Sequence, residues 1–157
     1  MHLEELVDEL LKTYVGGDKY FDKLDLNIRK NTEYLKYMIK TIEKEEFDYI
    51  IVSGHYGKTF TNYCRKNKIF KDKIILVNGS IRKGKKIKDV IKNNLKDKKV
   101  IFIDDSCYSK KTINEITKYI ESKNGNLIKT FVYYDGSKNK SDNINSFYRY
   151  YDHYGLS

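Results

Sequence analysis

Two carboxylates stand side by side at Asp104-Asp105, directly after the apolar run Val100-Ile101-Phe102-Ile103. The polar stretch Ser106-Cys107-Tyr108-Ser109-Lys110-Lys111-Thr112 follows. Adjacent residues at a strand end point in different directions, so such a pair can hold neighbouring hydroxyls or the water shell of a cation. Ser109, Thr112 and the loop N–H groups, placed over a helix N-terminus, suit a phosphate. The stretch therefore offers carboxylates for a sugar diol and a phosphate cradle about a ribose length away. The plainer alternative is a turn with a helix cap. A second stretch, Ser53-Gly54-His55-Tyr56-Gly57-Lys58-Thr59, follows Ile50-Ile51-Val52. Its glycines let backbone N–H groups approach an anion, while Lys58 and Thr59 add a cation and a donor. Here the alternative is an ordinary strand-to-helix turn.

Residues of this kind need strands and helices to position them. Phe47 to Val52, Lys73 to Asn78, Val100 to Ile103 and Leu127 to Tyr134 are short apolar runs without clean alternation, the pattern of strands buried on both faces. Helical periodicity predicts segments over Lys58 to Lys66, Ile87 to Leu95 and Thr112 to Lys123 between them. Strands alternating with helices imply a parallel sheet, whose ligands sit at the carboxyl ends of the strands. Two further helices are expected ahead of the first strand. One carries Leu3, Leu6, Val7, Leu10, Leu11 and Tyr14 and ends at Gly16-Gly17; the other runs from Leu26 to Glu46. The tail after Gly136 is polar, then aromatic through Phe147-Tyr148-Arg149-Tyr150-Tyr151-Asp152-His153-Tyr154.

The 157 residues suit one α/β-sized domain with a real core. No apolar run is long enough to span a membrane, and the acidic start MHLEELVDELL is wrong for a signal or transit peptide. Cys64 and Cys107 form no CxxC pair, which argues against a zinc site or a disulfide framework and for a reducing cytoplasm. The net charge of +9 accompanies abundant Lys, Asn, Ile and Tyr with no proline, the bias of an A+T-rich coding sequence, so most lysines are read as solvated surface. A basic nucleic-acid-binding protein, using Arg82 to Lys99 and the tyrosines, is the less favoured alternative. Ile87, Val90, Ile91 and Leu95 fall at helical spacing within that stretch, which marks it as a helix with a wet face.

Some comparisons fail on single residues. The phosphate loop of nucleotide hydrolases needs Gly where Val52 stands. Too few residues follow Asp105 for a response-regulator receiver, and haloacid dehalogenase-like phosphatases need Asp two places after Asp104, where Ser106 stands. Val100 to Thr112 instead resembles the phosphoribosyl-pyrophosphate (PRPP) motif of type I phosphoribosyltransferases. Asp104 and Asp105 take the acidic positions, Ser109 the Thr/Ser position and Thr112 the final Thr, while Lys110 stands where the family usually has Gly. Val52 to Phe60 resembles the family's pyrophosphate loop, and Ser80 to Lys86 its Arg-Lys segment.

The resemblance implies an α/β fold, a mostly parallel sheet flanked by helices with a small hood. The core would span about 47–135, with 1–46 and 137–157 as hood or flanking elements of a single domain. It implies transfer of a phosphoribosyl group from PRPP to a nitrogen base, with Mg²⁺ as cofactor and a homodimer as one assembly. By position, Asp104 and Asp105 hold the ribose hydroxyls, partly through the metal's water shell. Ser106, Cys107, Tyr108, Ser109, Lys110, Lys111 and Thr112 hold the 5′-phosphate. Ser53, Gly54, His55, Tyr56, Gly57 and Lys58 hold pyrophosphate, and Arg82 and Lys83, with Asp105, assist its departure. Tyr108 stands where hypoxanthine-guanine enzymes carry Asp, which argues against that specificity. A member that has lost the reaction and only binds a ribose-phosphate is the alternative. His55 also suits a surface loop, Cys107 a buried thiol rather than a nucleophile, and the tyrosine-rich tail either base stacking or packing on the sheet.

Overall fold

Parallel strands with apolar residues on both faces form the centre of the molecule. The computed structural model describes residues 28–77, 91–107, 110–137, 139 and 141–149. In chain order these form α1 (Ile28–Glu43), β1 (Tyr49–Val52), α2 (Gly54–Lys66), a 3-10 turn (Lys71–Lys73), β2 (Ile74–Leu76), β3 (Lys99–Cys107), α3 (Lys111–Ser122), β4 (Asn126–Asp135) and β5 (Ile144–Arg149). The sheet order is β2-β1-β3-β4-β5, and every pairing is parallel. No helix among the described residues is long and apolar enough to cross a membrane.

Side-chain alternation along each strand divides the core in two. Ile50, Val52, Ile101, Ile103, Phe131 and Tyr133 face one way and meet Leu35, Met38, Ile39 and Ile42 of α1 and Phe60 and Cys64 of α2. Ile51, Val100, Phe102 and Val132 face the other way and meet Ile113, Ile116 and Ile120 of α3. Because each helix inserts a stripe at spacings of three and four, the sheet is covered on both sides, as a parallel sheet requires. The Tyr34 hydroxyl of α1 lies 3.0 Å from the Val132 carbonyl and 3.2 Å from that of Asn145, so its proton ties the helix to β4 and β5.

Several boundaries depart from the sequence reading. The helix expected from Leu26 to Glu46 is described from Ile28 onward and ends at Glu43. The run expected from Lys73 to Asn78 is a strand only over Ile74–Leu76, with Lys73 in the 3-10 turn. β4 takes one further residue at each end, and α3 begins one residue early. The helix expected over Ile87 to Leu95 falls partly outside the described residues, and its described part, 91–95, is not helical. Ile91 and Leu95 are instead buried in the second core cluster. The apolar spacing there reports burial of a loop beneath α3: a Cβ on Gly125 would lie 2.8 Å from the Leu95 carbonyl oxygen, so the two segments touch.

The polar-aromatic tail contains a strand that its composition does not announce. β5 pairs in parallel with β4, from Thr130↔Ile144 to Asp135↔Arg149. Residues 136–143 make the return without the dozen or more residues that a helical crossover takes. The sheet thus extends beyond the 47–135 stretch, and α1 packs as part of its layer. The expected helix over 3–14 and the aromatic residues 150–154 lie outside the described residues.

Candidate active site

β1 and β3 are neighbours, and their pairing brings the two chemically suggestive stretches together. Val52 pairs with Ile103, and the Ser53 N–H donates to the Ile103 carbonyl at 2.9 Å. Both chains therefore reach the carboxyl edge of the sheet side by side.

At the first junction the helix begins earlier than the sequence suggests. Ser53 is the N-cap, extended at φ −136° and ψ 156°, and Gly54 turns the chain with φ 73°. The helix expected from Lys58 starts at Gly54, so His55, Tyr56 and Gly57, expected as a loop, form the first turn of α2. Gly57 explains the difference. A Cβ there would lie 3.2 Å from Val52 Cβ and 3.3 Å from the Val52 carbonyl carbon, so glycine lets the helix start directly against the strand without pushing it back by a few tenths of an ångström. The Thr61 hydroxyl closes the turn by donating to the Gly57 carbonyl at 2.8 Å. Lys58 is exposed, while Ser53 and Thr59 are buried.

The second junction departs in the opposite sense. β3 does not end at Ile103; the ladder to β4 continues through Asp104↔Val132, Ser106↔Tyr134 and Cys107↔Asp135. Asp and Ser are poor strand formers, but pairing along a long neighbour overrides that preference. The carboxylates thus lie within the last part of the strand. Asp104, on the Val100/Phe102 side by alternation, is only 2% exposed. Asp105 and Ser106 follow it in the strand.

A polar cluster closes the strand end. Asp135, 2% exposed, accepts the Ser137 N–H at 2.9 Å, the Ser137 hydroxyl at 2.5 Å and the Cys107 thiol at 3.1 Å, all on Oδ1. The Gly136 N–H donates to the Cys107 carbonyl at 2.8 Å. Burial first, and then the Asp135 carboxylate, push the Cys107 thiol pKa up from its ordinary value. Cys107 is therefore a protonated donor and no nucleophile. Asp135 and Ser137 were not singled out from the sequence. The signal was an Asp two residues before Ser at a strand end, the pattern of a side-chain-closed turn.

Lys110 is the N-cap of α3 and takes a left-handed conformation, φ 62° and ψ 15°. This is the position where the resembled motif has Gly, and the backbone angle supplies the reason. Its ammonium donates to the Asn139 carbonyl at 2.5 Å and to Ser141 Oγ at 2.6 Å. Lys111 and Thr112 form the first turn of α3. Neither N-cap side chain, Ser53 or Lys110, bonds the N–H groups that open its helix. Two helix N-termini, each a carrier of partial positive charge, thus open at the same edge of the sheet as Asp104. Tyr108, Ser109, Arg82 and Lys83 lie outside the described residues.

No three His, Cys, Asp or Glu side chains converge into a metal site among the described residues. A cavity of about 480 Å³ lies at the opposite edge, where α2 ends and β2 begins, lined by Cys64, Arg65, Lys68, Ile69, Lys71, Asp72 and Ile74. It takes in neither junction. The chemistry-bearing residues identify the carboxyl edge as the candidate site, because open parallel sheets bind ligands there.

No protein-family model and no curated protein matches the chain. Solved structures do. A hypoxanthine-guanine phosphoribosyltransferase from Bacillus anthracis is 19% identical, with a TM-score of 0.59 over 77% of each chain. A phosphoribosyltransferase from Corynebacterium diphtheriae is 12% identical, with a TM-score of 0.58 over 98% of this chain and 96% of that one. A hypoxanthine-guanine enzyme from Leishmania tarentolae, solved with GMP, is 12% identical, with a TM-score of 0.53 over 77% of this chain and 74% of the other. With its five-stranded parallel sheet flanked by helices and these structural matches, the chain has the fold of the type I phosphoribosyltransferases.

Proposed function

We propose that this protein binds PRPP with Mg²⁺ and transfers the phosphoribosyl group to a nitrogen base, releasing pyrophosphate. The observation that carries the reading is the Val52↔Ile103 pairing, which sets the α2 N-terminus beside the carboxylate strand, at the same edge of the sheet toward which the α3 N-terminus opens. A ligand with a phosphate at each end of a ribose needs two anion sites flanking a diol site. The N–H groups opening α3 would hold the 5′-phosphate, and those opening α2 the pyrophosphate. Asp104 and Asp105 would hold the ribose hydroxyls. Hard carboxylate oxygens suit Mg²⁺, which characteristically takes one or two of them and completes its shell with water and substrate phosphate. When bound, the ion supplies charge neutralisation for the leaving pyrophosphate.

The reaction balances simply. The bond from C1′ to the pyrophosphate oxygen breaks and its electron pair leaves with pyrophosphate. The base nitrogen supplies the pair for the new bond to C1′ and gives up its proton. The protein's own residues hold the partners in line and stabilise charge on the departing group, with Lys58, Arg82 and Lys83 as the cations. GMP in the Leishmania tarentolae enzyme supports a nucleotide product in kind. Both cysteines are free and buried, as a reducing cytoplasm would have them.

One observation favours a second reading. Lys110 stands in the motif's glycine position at the start of α3 with its ammonium bonded to Asn139 and Ser141, so a chain that binds a ribose-phosphate without turning it over is the alternative. Incubation with PRPP, Mg²⁺ and a panel of nucleobases, with pyrophosphate as the readout, separates the two. Release that depends on a base supports transfer; binding without release with any base supports the binder.

A further inference from the structure

Residues 108–109 are bracketed by two attachments to the same stretch of chain, the β4–β5 connection. On one side, Cys107 is bonded through its thiol to Asp135 and through its carbonyl to the Gly136 N–H. On the other, the Lys110 ammonium reaches the Asn139 carbonyl and the Ser141 hydroxyl. We infer that Lys110 is a positioning residue: its ammonium fastens the start of α3 to the β4–β5 connection. This tie, rather than charge placed on a bound anion, is its contribution to holding a phosphate at the α3 N-terminus. The phosphate in this inference rests on the phosphoribosyl reading; the tie does not.

The geometry favours a tie over a direct contact. Two of the three ammonium protons are already committed to protein oxygens at short distances. A side chain bearing a Cβ rarely adopts φ 62°, and surrounding structure must hold it there. The two bonds to Asn139 and Ser141 provide that hold. The same residue also starts the helix, because its carbonyl accepts the Asn114 N–H at 2.9 Å. At the far end, the Ser141 carbonyl accepts the Ile144 N–H at 3.2 Å, where β5 begins. Lys110 therefore links the first hydrogen bond of α3 to the first residues of β5. A glycine could take the backbone angle but could not make the link.

Hydrogen exchange on the ligand-free protein tests the link through those two amides. Lys110→Met should speed exchange at Asn114 and at Ile144 by about two- to tenfold, and Ser141→Ala, which leaves the bond to the Asn139 carbonyl, by a smaller factor. The double variant should go no further than Lys110→Met, and Lys110→Arg should restore protection. An unchanged Ile144 amide in Lys110→Met would overturn the tie.

Calorimetry with ribose 5-phosphate then tests its use. Lys110→Met should weaken binding, Ser141→Ala should weaken it by a smaller factor although Ser141 carries no charge, and the double variant should match Lys110→Met. Weakening by Lys110→Met while the Asn114 and Ile144 amides exchange as in the wild type would mean direct anion contact and would overturn the inference. If the wild-type protein binds no ribose 5-phosphate, the phosphoribosyl reading falls, and the exchange measurement still decides whether the tie exists.

Discussion

The two strand-to-helix junctions at the carboxyl edge are built by different means. Between β1 and α2 the geometry is steric: Gly57 lies so close to Val52 that the helix starts as soon as the strand ends. Between β3 and α3 it is polar. The strand runs on through Cys107, and hydrogen bonds to Asp135, Asn139 and Ser141 fix where it stops. A close approach crowds any added atom but needs no partner. A hydrogen-bonded knot tolerates exchange of like for like but fails when a shared acceptor is removed.

The largest expected effect follows from the steric side. Gly57→Val should destabilise the fold by about 3 kcal/mol, because its methyls must displace the end of β1. Denaturant unfolding with an unchanged slope would read it, and a loss below about 1 kcal/mol would show that α2 can slide from the strand. On the polar side, Asp135→Ala leaves the Ser137 N–H, the Ser137 hydroxyl and the Cys107 thiol without their common acceptor, and should cost about 2 kcal/mol by the same measurement. Asp135→Asn, which keeps an acceptor oxygen, should cost clearly less. Equal losses would mean that the negative charge, not the acceptor, holds the knot.

Legibility in the sequence follows the same division. The apolar strands were readable because burial on both faces leaves a continuous apolar run, and the stripes of α1, α2 and α3 because burial of one helix face leaves a period. The pairing of the acidic motif with a glycine-rich turn was also readable, because both are local. Their adjacency through Val52 and Ile103 is a tertiary fact that no local pattern carries. β5 was missed because Asn, Ser and Arg interrupt its apolar residues and only its ladder with β4 makes it a strand. The extent of β3 was missed for the same reason, since Asp104 to Cys107 look like a loop until Val132 to Asp135 pair with them. Lys110 read as an irregular residue in a glycine position; its left-handed backbone shows why the position favours glycine.

Smaller effects sharpen the contrast further. Lys110→Ala and Lys110→Gly both lose the ties to Asn139 and Ser141, but only glycine relieves the left-handed backbone. The glycine variant should therefore be the more stable of the two by about 1 kcal/mol, read from their unfolding midpoints. Equal stabilities would mean that the helix start relaxes once the ammonium is gone.

The two thiols, one in each junction's elements, give the smallest effect. Burial, and then Glu43, raise the Cys64 pKa from 9.0 to about 12. The native chain therefore keeps a proton that the unfolded chain releases above 9.0. The stabilisation is full below that pH and is lost progressively as pH rises toward about 12. Between about pH 8.5 and 9.5 this thiol should account for a fall of about 0.7 kcal/mol in unfolding free energy, absent in Cys64→Val. Iodoacetamide at pH 8 should label neither Cys64 nor Cys107 in the native protein and both after denaturation. Rapid native labelling of Cys107 would show that the β3 end opens in solution.

Titration calorimetry of PRPP in the presence of magnesium, comparing the wild-type chain with Asp104→Asn/Asp105→Asn at matched thermal stability, bears most directly on what the carboxyl edge does. The wild-type protein should bind and the double variant should not. Equal affinity in both, or no binding by the wild type, would contradict the assignment of this edge to a phosphoribosyl ligand.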